Sequence, residues 1–588
     1  MSEATYKTGA PPYPFGVAAR EKARAFLLYR GADALSLGAG ENQGYLLKIE
    51  PFDASGRLDL PGPALPFGCI DRRRARYVSS TGKTSTLYPV CTANAERSSA
   101  ADDVPASTFV PGRYDGKFSF EAELFSGADP LQAGTLSVGA LNLDDPEGEL
   151  DYLRDLVWDG TAITIMRGDP DLPFRTWSAV ARMATAALLY DVKKKIIDLR
   201  DVAWKLNNAP LHGLYYGGTG GLDGDASLAG IIKPYCVGQA FHIPPTLISA
   251  ANLIYQVSCS SVQAITSVMD GAAPLDAGAD YATYDALAAA TVAPGAFATC
   301  LAQGLFRLGG TAALLLTAHV QGDNETINGL GYPSTRAQVA RRIATGRGTV
   351  RLSDPDEIDA SAYRALEKKQ LAAVGFFWNQ EITKAAALQE VLSGCLGWWT
   401  VRLNGKLAIG QLEDPANAAP FFSLDFPSED LRDEVRVGEP AVTDFLGPRR
   451  NTSMGYRRSY TVFQLSQIAG SVAEDAAAAA ILQQPMQYTV SADPWVRSNY
   501  PSSPVVTVSG NFVDQADAQR EGDRQQRLMR RMHEAFEIPA VIDQSVDIVG
   551  RVISVRNLGR MGFGAARNIF CKGVRCNGDA WTTIVGWA

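Results

Sequence analysis

Chemistry in this chain would have to come from four histidines, eight cysteines, two knots of carboxylates and a few glycine-flanked lysines. The histidines, His212, His242, His319 and His533, are widely separated. His533-Glu534 opens like a zinc-protease helix, but position 537 holds Glu where that motif needs its second histidine. No Gly-x-Ser-x-Gly turn presents a nucleophile; a triad gathered from distant positions stays open. One carboxylate knot is Asp144, Asp145, Glu147, Glu149 and Asp151; the other is Asp354, Asp356 and Glu357. A glycosidase needs two such groups roughly 5 to 9 Å apart across a cleft, whereas the Pro and Gly neighbours here predict solvated loops. Lys83, in Thr81-Gly82-Lys83-Thr84, lacks the earlier glycine of a phosphate loop, since Tyr77 stands there. It reads as a surface turn.

The glycines Gly217, Gly218, Gly220 and Gly221 follow no apolar strand and open no helix, so they predict a linker and not a dinucleotide site. Cys69, Cys91, Cys236, Cys259, Cys300 and Cys395 stand alone and read as buried thiols. Cys571 and Cys576 are the closest pair. They could supply two ligands of a metal or iron–sulfur cluster, and two ligands do not make a site. Phe376, Phe377 and Trp378, with Trp398 and Trp399, form either a sugar platform or, the favoured reading, core and interface. The expectation is therefore no catalytic, cofactor or metal residue, and no enzyme.

A formal net charge of −8 argues against electrostatic nucleic-acid binding by the chain as a whole. The basic runs Arg72-Arg73-Arg74 with Arg76, Lys193-Lys194-Lys195, and Arg527 with Arg530-Arg531 read as solvated faces or contacts for an acidic partner. Arg307 interrupts the best candidate membrane span, and residues 308–320 are too few to cross a bilayer. Residues 1–15 lack the charged-then-apolar pattern of a signal peptide, so folding is expected in the cytoplasm, where the chain is made.

The elements that must position these residues read as a succession of β-rich modules. Alternation at 117–122 and 135–138, then Ile163-Thr164-Ile165-Met166 and a closing strand at 196–201, predicts a small antiparallel barrel or sandwich. Residues 209–235 are turn-dense and predict a linker into an Ala- and Gly-rich module of short strands and helices. From 381, Ile382, Ala385, Leu388, Val391, Leu392 and Cys395 predict an amphipathic helix. Strands at 398–403 and 406–409 then meet across Asn404-Gly405, the strongest short hairpin signal. Leu528, Met529, Met532, Ala535 and Phe536 predict a further helix, followed by strands at 548–555, 568–576 and 581–587. The fold class is mainly β with α+β insertions, multidomain, built of small antiparallel β-barrels or sandwiches. The expected segments are 1–111 (β-rich, role open), 112–208 (first barrel), 209–365 (linker and peripheral α+β domain), 366–440 (helix plus hairpin) and 441–588 (helix and C-terminal barrel).

Three stretches carry a resemblance. The first runs from Leu136-Ser137-Val138 through Leu150-Asp151-Tyr152-Leu153 to Trp158-Asp159-Gly160 and Gly168-Asp169. The second runs from Tyr216-Gly217-Gly218 through Lys233-Pro234 and residues 252–257 to Asp280-Tyr281 and Phe306-Arg307-Leu308-Gly309. The third is a basic helix, Val549-Gly550-Arg551-Val552, Leu558-Gly559-Arg560-Met561-Gly562 and Ile584-Val585-Gly586-Trp587. In this order they resemble the baseplate or tail-tip hub proteins of tailed bacteriophages, a family also found in prophage tails and gene transfer agents. Together they span about two-thirds of the chain, and residues 1–111 match less well.

The resemblance implies a structural subunit in which the barrels at 112–208 and 441–588 mimic the tube ring above, so that a homotrimer closes the tail tube. Its implied partners are the distal tail protein ring, the tape-measure protein and a central fibre or spike. DNA passes without specific binding, host envelope contact is possible, and the place is the tip of a virion tail assembled in the host cytoplasm. The acidic balance and the loop at 144–151 suit a lumen that repels phosphate. The compact cysteine quartet of tail-tip iron–sulfur proteins is absent from the sequence. The rival readings are a cell-wall- or polysaccharide-degrading enzyme of the tail and a receptor-binding module.

Overall fold

The computed structural model describes residues 44–53, 76–78, 84–86, 88–92, 97–98, 109–110, 112–114, 119–125, 135–148, 150–168, 177–425, 441–540, 547–556, 566–577 and 581–587. Strands dominate, in several mostly antiparallel sheets with a few helices between them. No described helix is long and apolar enough to cross a membrane.

Seven strands close a barrel in the ring order Gly44–Asp53, Leu156–Gly168, Ser178–Tyr190, Lys194–Arg200, Ala140–Asp144, Gly112–Tyr114 and Tyr88–Thr92. Period-2 alternation sets the inner face: along Lys194–Arg200, Lys195, Ile197 and Leu199 are buried while their neighbours are not. A register shift between Thr185 and Ala187 bends the long strand Ser178–Tyr190 around the closure. The barrel starts upstream of the expected 112–208 limits. Gly44–Asp53 pairs antiparallel with Leu156–Gly168, and Tyr88–Thr92 joins it on the other side. Closure needs both strands, because the segment 112–208 alone leaves two open edges.

The alternating pieces at 117–122 and 135–138 depart from expectation more sharply. Phe120–Glu123 and Thr135–Val138 form a hairpin that leaves the barrel and pairs with Arg567–Asn577. Among the described residues, the expected C-terminal barrel is an eight-stranded sheet. It runs Phe422–Asp425, Val552–Arg556, Arg567–Asn577, Trp581–Trp587, His533–Ala540 and Ala441–Leu446, with that hairpin branching from Arg567–Asn577. The helix expected around 528–536 is also corrected: helix Gln515–Leu528 ends where it was to begin, and His533–Ala540 is a strand. Pairing with Ala441–Leu446 on one side and Trp581–Trp587 on the other outweighs the helical spacing of five apolar residues.

Between these ends, Tyr235–Ile243 is an inner strand of a five-stranded sheet that also takes Gly375–Trp378, across the expected limit at 365/366. Its neighbour is a second five-stranded sheet that includes Thr246–Ser249 and Asp276–Asp280. The helix-plus-hairpin unit is present: Thr383 caps Lys384–Ser393 by accepting from the Ala386 amide. Gly397–Val401 then returns through Leu407–Gln411, with Gly405 at φ +77° in the turn. Leu388, Val391 and Leu392 of that helix share a core with Ile343, Phe376, Met454 and Phe512. The last two belong to a sheet of Gln487–Ala492, Asn451–Tyr456 and Val505–Phe512, under helix Gln515–Leu528.

Candidate functional site

Most of the described carboxylates of the two knots are held by ion pairs or hydrogen bonds. Asp145 is fully buried, and Lys195 lies 2.9 Å from an oxygen of Asp145 and 2.9 Å from one of Asp151. The Leu150 amide donates to the other Asp145 oxygen at 3.1 Å. Hydrogen bonding and charge from Lys195 hold the Asp151 carboxyl below its usual range. Asp144 and Glu147 are exposed, and Glu149 lies outside the described residues. Lys195 thus offsets one of the two charges it bridges, and its burial removes it from the exposed basic run. In the second knot, Asp354 accepts from Arg341 at 2.7 Å, Glu357 from Lys205 at 2.6 Å and from the Ser353 amide at 2.8 Å, and Asp356 from Ser353 Oγ at 3.4 Å. These bonds fix a loop.

The aromatic cluster is core. Phe376, Phe377, Trp378 and Trp398 are buried, and Trp378 stacks between Tyr235 and Phe376 at 6.1 and 5.6 Å. That arrangement supports no sugar platform. Cys571 and Cys576 are both buried in the strand Arg567–Asn577, and Cys571 Sγ donates to the Gly573 carbonyl at 3.4 Å. Among the described residues no group of three or more His, Cys, Asp or Glu could hold a metal. The glycine stretch is a knot of turns: Gly218, Gly220, Gly221 and Gly224 have positive φ, and Gly218 and Gly220 donate to the carbonyls of Asp223 and Gly224. Lys83, its neighbour Gly82 and Cys69 lie outside the described residues.

His533 stacks on Trp587 at 4.0 Å, with Nε2 2.7 Å from the Leu528 carbonyl. His212 packs against Tyr235 and accepts from the Leu214 amide; burial, with Arg347 nearby, pushes its pKa down to about 4. His242 and His319 meet edge to face at 4.5 Å. Sequence gave no sign of this, because they sit on Tyr235–Ile243 and Leu316–Asp323, whose pairing is not local.

What the structure assembles most extensively is the joint between the barrel and the C-terminal sheet. Phe120–Glu123 runs antiparallel to residues 573–576 over four pairs. Lys572 donates to Glu123 Oε1 at 2.5 Å, and Arg575 donates to Glu121 at 2.9 Å and Glu537 at 2.8 Å. Beneath the ladder, Leu141, Ile163 and Ile165 of the barrel share one core with Phe536, Ile553 and Ile584 of the sheet. The end of Ser178–Tyr190 carries exposed Leu189 and Tyr190, and the turn that leads to Lys194–Arg200 carries Val192 at 87 % exposure. An apolar tip of this kind suits contact with another protein surface.

No family model matches the chain, and no curated protein matches it. Among the solved structures similar to it are three tail or particle proteins. The tail protein from Neisseria meningitidis MC58 is 9 % identical with a TM-score of 0.34, over 80 % of this chain and 92 % of that one. The 43 kDa tail protein of prophage MuSo2 from Shewanella oneidensis is 10 % identical with a TM-score of 0.30, over 82 % and 96 %. A chain in the virion of a native gene transfer agent particle is 12 % identical with a TM-score of 0.34, over 61 % and 84 %. Superpositions this loose carry no residue-by-residue correspondence.

Proposed function

We propose that this chain is a structural subunit of a phage tail or phage-derived particle, acting as the hub at the tail tip. In this reading a homotrimer closes the tail tube and links the distal tail ring to a central fibre or spike. The tape-measure protein ends against it, and DNA leaves through its channel toward the host envelope. The ordered motifs from Leu136 to Trp587 support the family reading.

The observation that carries the role is the exchanged hairpin. A subunit in a tube must keep its β domains in fixed relation while force and DNA pass. Here a shared core, a strand ladder and ion pairs make the barrel and the terminal sheet one body. Pairing of Lys195 with Asp145 and Asp151 also removes a cation that could hold phosphate. The enzyme and receptor readings draw no support from carboxylates tied in ion pairs or aromatics packed in core.

Light scattering at several concentrations tests the assembly. A stable particle of three times 63.0 kDa is expected. A persistent monomer that also degrades peptidoglycan overturns the reading.

A further inference from the structure

A cleft of about 360 Å³ opens beside the histidine pair, between the sheet that holds Tyr235–Ile243 and Leu316–Asp323 and the helix Ala476–Leu482. That volume suits a small organic ligand. Its polar lining is His242, His319, Arg457, Ser459, Gln484 and Gln487, and its polar end is the His242–His319 pair with nearby Arg457. Phe241, Ile481 and Leu482 line its apolar part, and no carboxylate lines it.

Three features of the polar end stand without an internal purpose. His319 Nε2 is buried with no hydrogen-bond partner. Such an orphan costs about 1–3 kcal/mol. Arg457 has no carboxylate partner among the described residues; its guanidinium lies 5.2 Å from the Phe241 ring centroid, whereas the adjacent Arg458 pairs with Glu390 at 2.7 Å. His242 and Arg457 both hold φ of +46°, the left-handed region that branched and bulky residues avoid. The His242 ring is fixed by His319 at 4.5 Å, by Phe463 at 5.5 Å and by Thr317 Oγ1 at 3.4 Å from Nδ1. Unused hydrogen-bonding capacity, an unneutralised cation and backbone strain thus coincide at one end of one cleft.

We propose that this cleft binds a small monocarboxylate with an apolar body, its carboxylate between Arg457 and the His242–His319 pair. The charge count selects a monoanion, since the lining offers one fixed positive charge. A planar guanidinium presents paired donors that match a carboxylate. Burial and the nearby Arg457 push the pKa of His242 down to about 4 and that of His319 to about 3, so at neutral pH both rings are uncharged donors and acceptors. Phe241, Ile481 and Leu482 would cover the apolar body.

The chain has four histidines, so full-length protein labelled with ¹³C at histidine Cε1 gives four signals. Octanoate is titrated at pH 7, with octanamide as its neutral counterpart. The expected result is a saturable shift of the His242 and His319 signals with octanoate and none with octanamide, while His212 and His533 stay still. Arg457→Asn keeps a residue that tolerates positive φ, and it should weaken octanoate binding by about tenfold or more; unmoved His212 and His533 signals report that this variant is folded. No shift with octanoate, an equal shift with octanamide, or undiminished binding by folded Arg457→Asn overturns the proposal. The octanamide comparison decides the matter without any variant.

Discussion

Arg575 Nε donates to Glu121 Oε1 at 2.9 Å across 454 positions of chain, and its Nη1 donates to Glu537 Oε1 at 2.8 Å. One guanidinium thus ties a strand from the N-terminal half to two strands of the C-terminal sheet. The neighbouring pair, Lys572 with Glu123, is far less exposed: 6 % and 14 % at the side chains against 36 % and 41 % for Arg575 and Glu121. Burial decides what each is worth. Glu123→Gln should destabilise the joint by about 3 kcal/mol, because it removes one partner of a largely buried pair. Glu121→Gln should cost less than about 1 kcal/mol. Thermal unfolding of the two variants checks the ranking, and equal losses would contradict it.

Gly573 faces the exchanged hairpin closely. A Cβ there would lie 2.6 Å from the Ala122 carbonyl oxygen and 3.2 Å from Glu123 Cα, both backbone atoms that cannot swing aside. Gly573→Ala should therefore detach Phe120–Glu123 and leave the barrel closed. Limited proteolysis should show new cleavage at residues 120–123, with protection retained across residues 156–168 and 177–200.

Acid should weaken the middle of the molecule. Burial depresses His212 and His242 to about 4 and His319 to about 3, from 6.5. The folded state then binds fewer protons than the unfolded one, so this contribution is complete above about 6.5 and is lost as pH falls toward the folded values. Glu521, held low chiefly by Arg524 against its own burial, adds to the loss at still lower pH, while half-buried Asp201, pushed up by desolvation, opposes it. Thermal midpoints measured from pH 7.5 to 4.5 should fall most below 6.5. A flat profile would show that the histidines are not held neutral by the fold.

The apolar tip tests assembly apart from folding. Val192 is 87 % exposed, so Val192→Lys should change the folding stability of the chain by no more than about 0.5 kcal/mol. If the tip meets a neighbouring subunit, the same change should shift light scattering toward the monomer. An unaltered assembly places the contact elsewhere.

Local patterns in the sequence were legible, and partners were not. The helix at Lys384–Ser393 and the hairpin across Asn404-Gly405 read correctly because the apolar stripe and the turn lie within thirty positions of one another. Phe120–Glu123 read correctly as a strand but was given the wrong sheet, since alternation fixes which face is buried and says nothing of which edge pairs with it. His533–Ala540 misled for a related reason: its apolar positions fit both periods, and only flanking strands far away in sequence decide between them. The same distance hid the candidate cleft. His242, His319 and Arg457 belong to three separated stretches, and none lies in a motif.

The exchanged hairpin also sets an order in time. Glu123 and Lys572 are 449 positions apart, so at roughly 5–20 residues per second the ribosome needs about 20–90 s to deliver the partner strand. Until then the barrel's neighbour sheet has no centre, and Phe120 and Ala122, buried in the finished molecule, lack the C-terminal strand they pair with. A chain cut short before residue 567 would keep that edge open and sticky. The hairpin therefore makes full burial of Phe120 and Ala122 wait for synthesis of Arg567–Asn577, the strand on which it pairs.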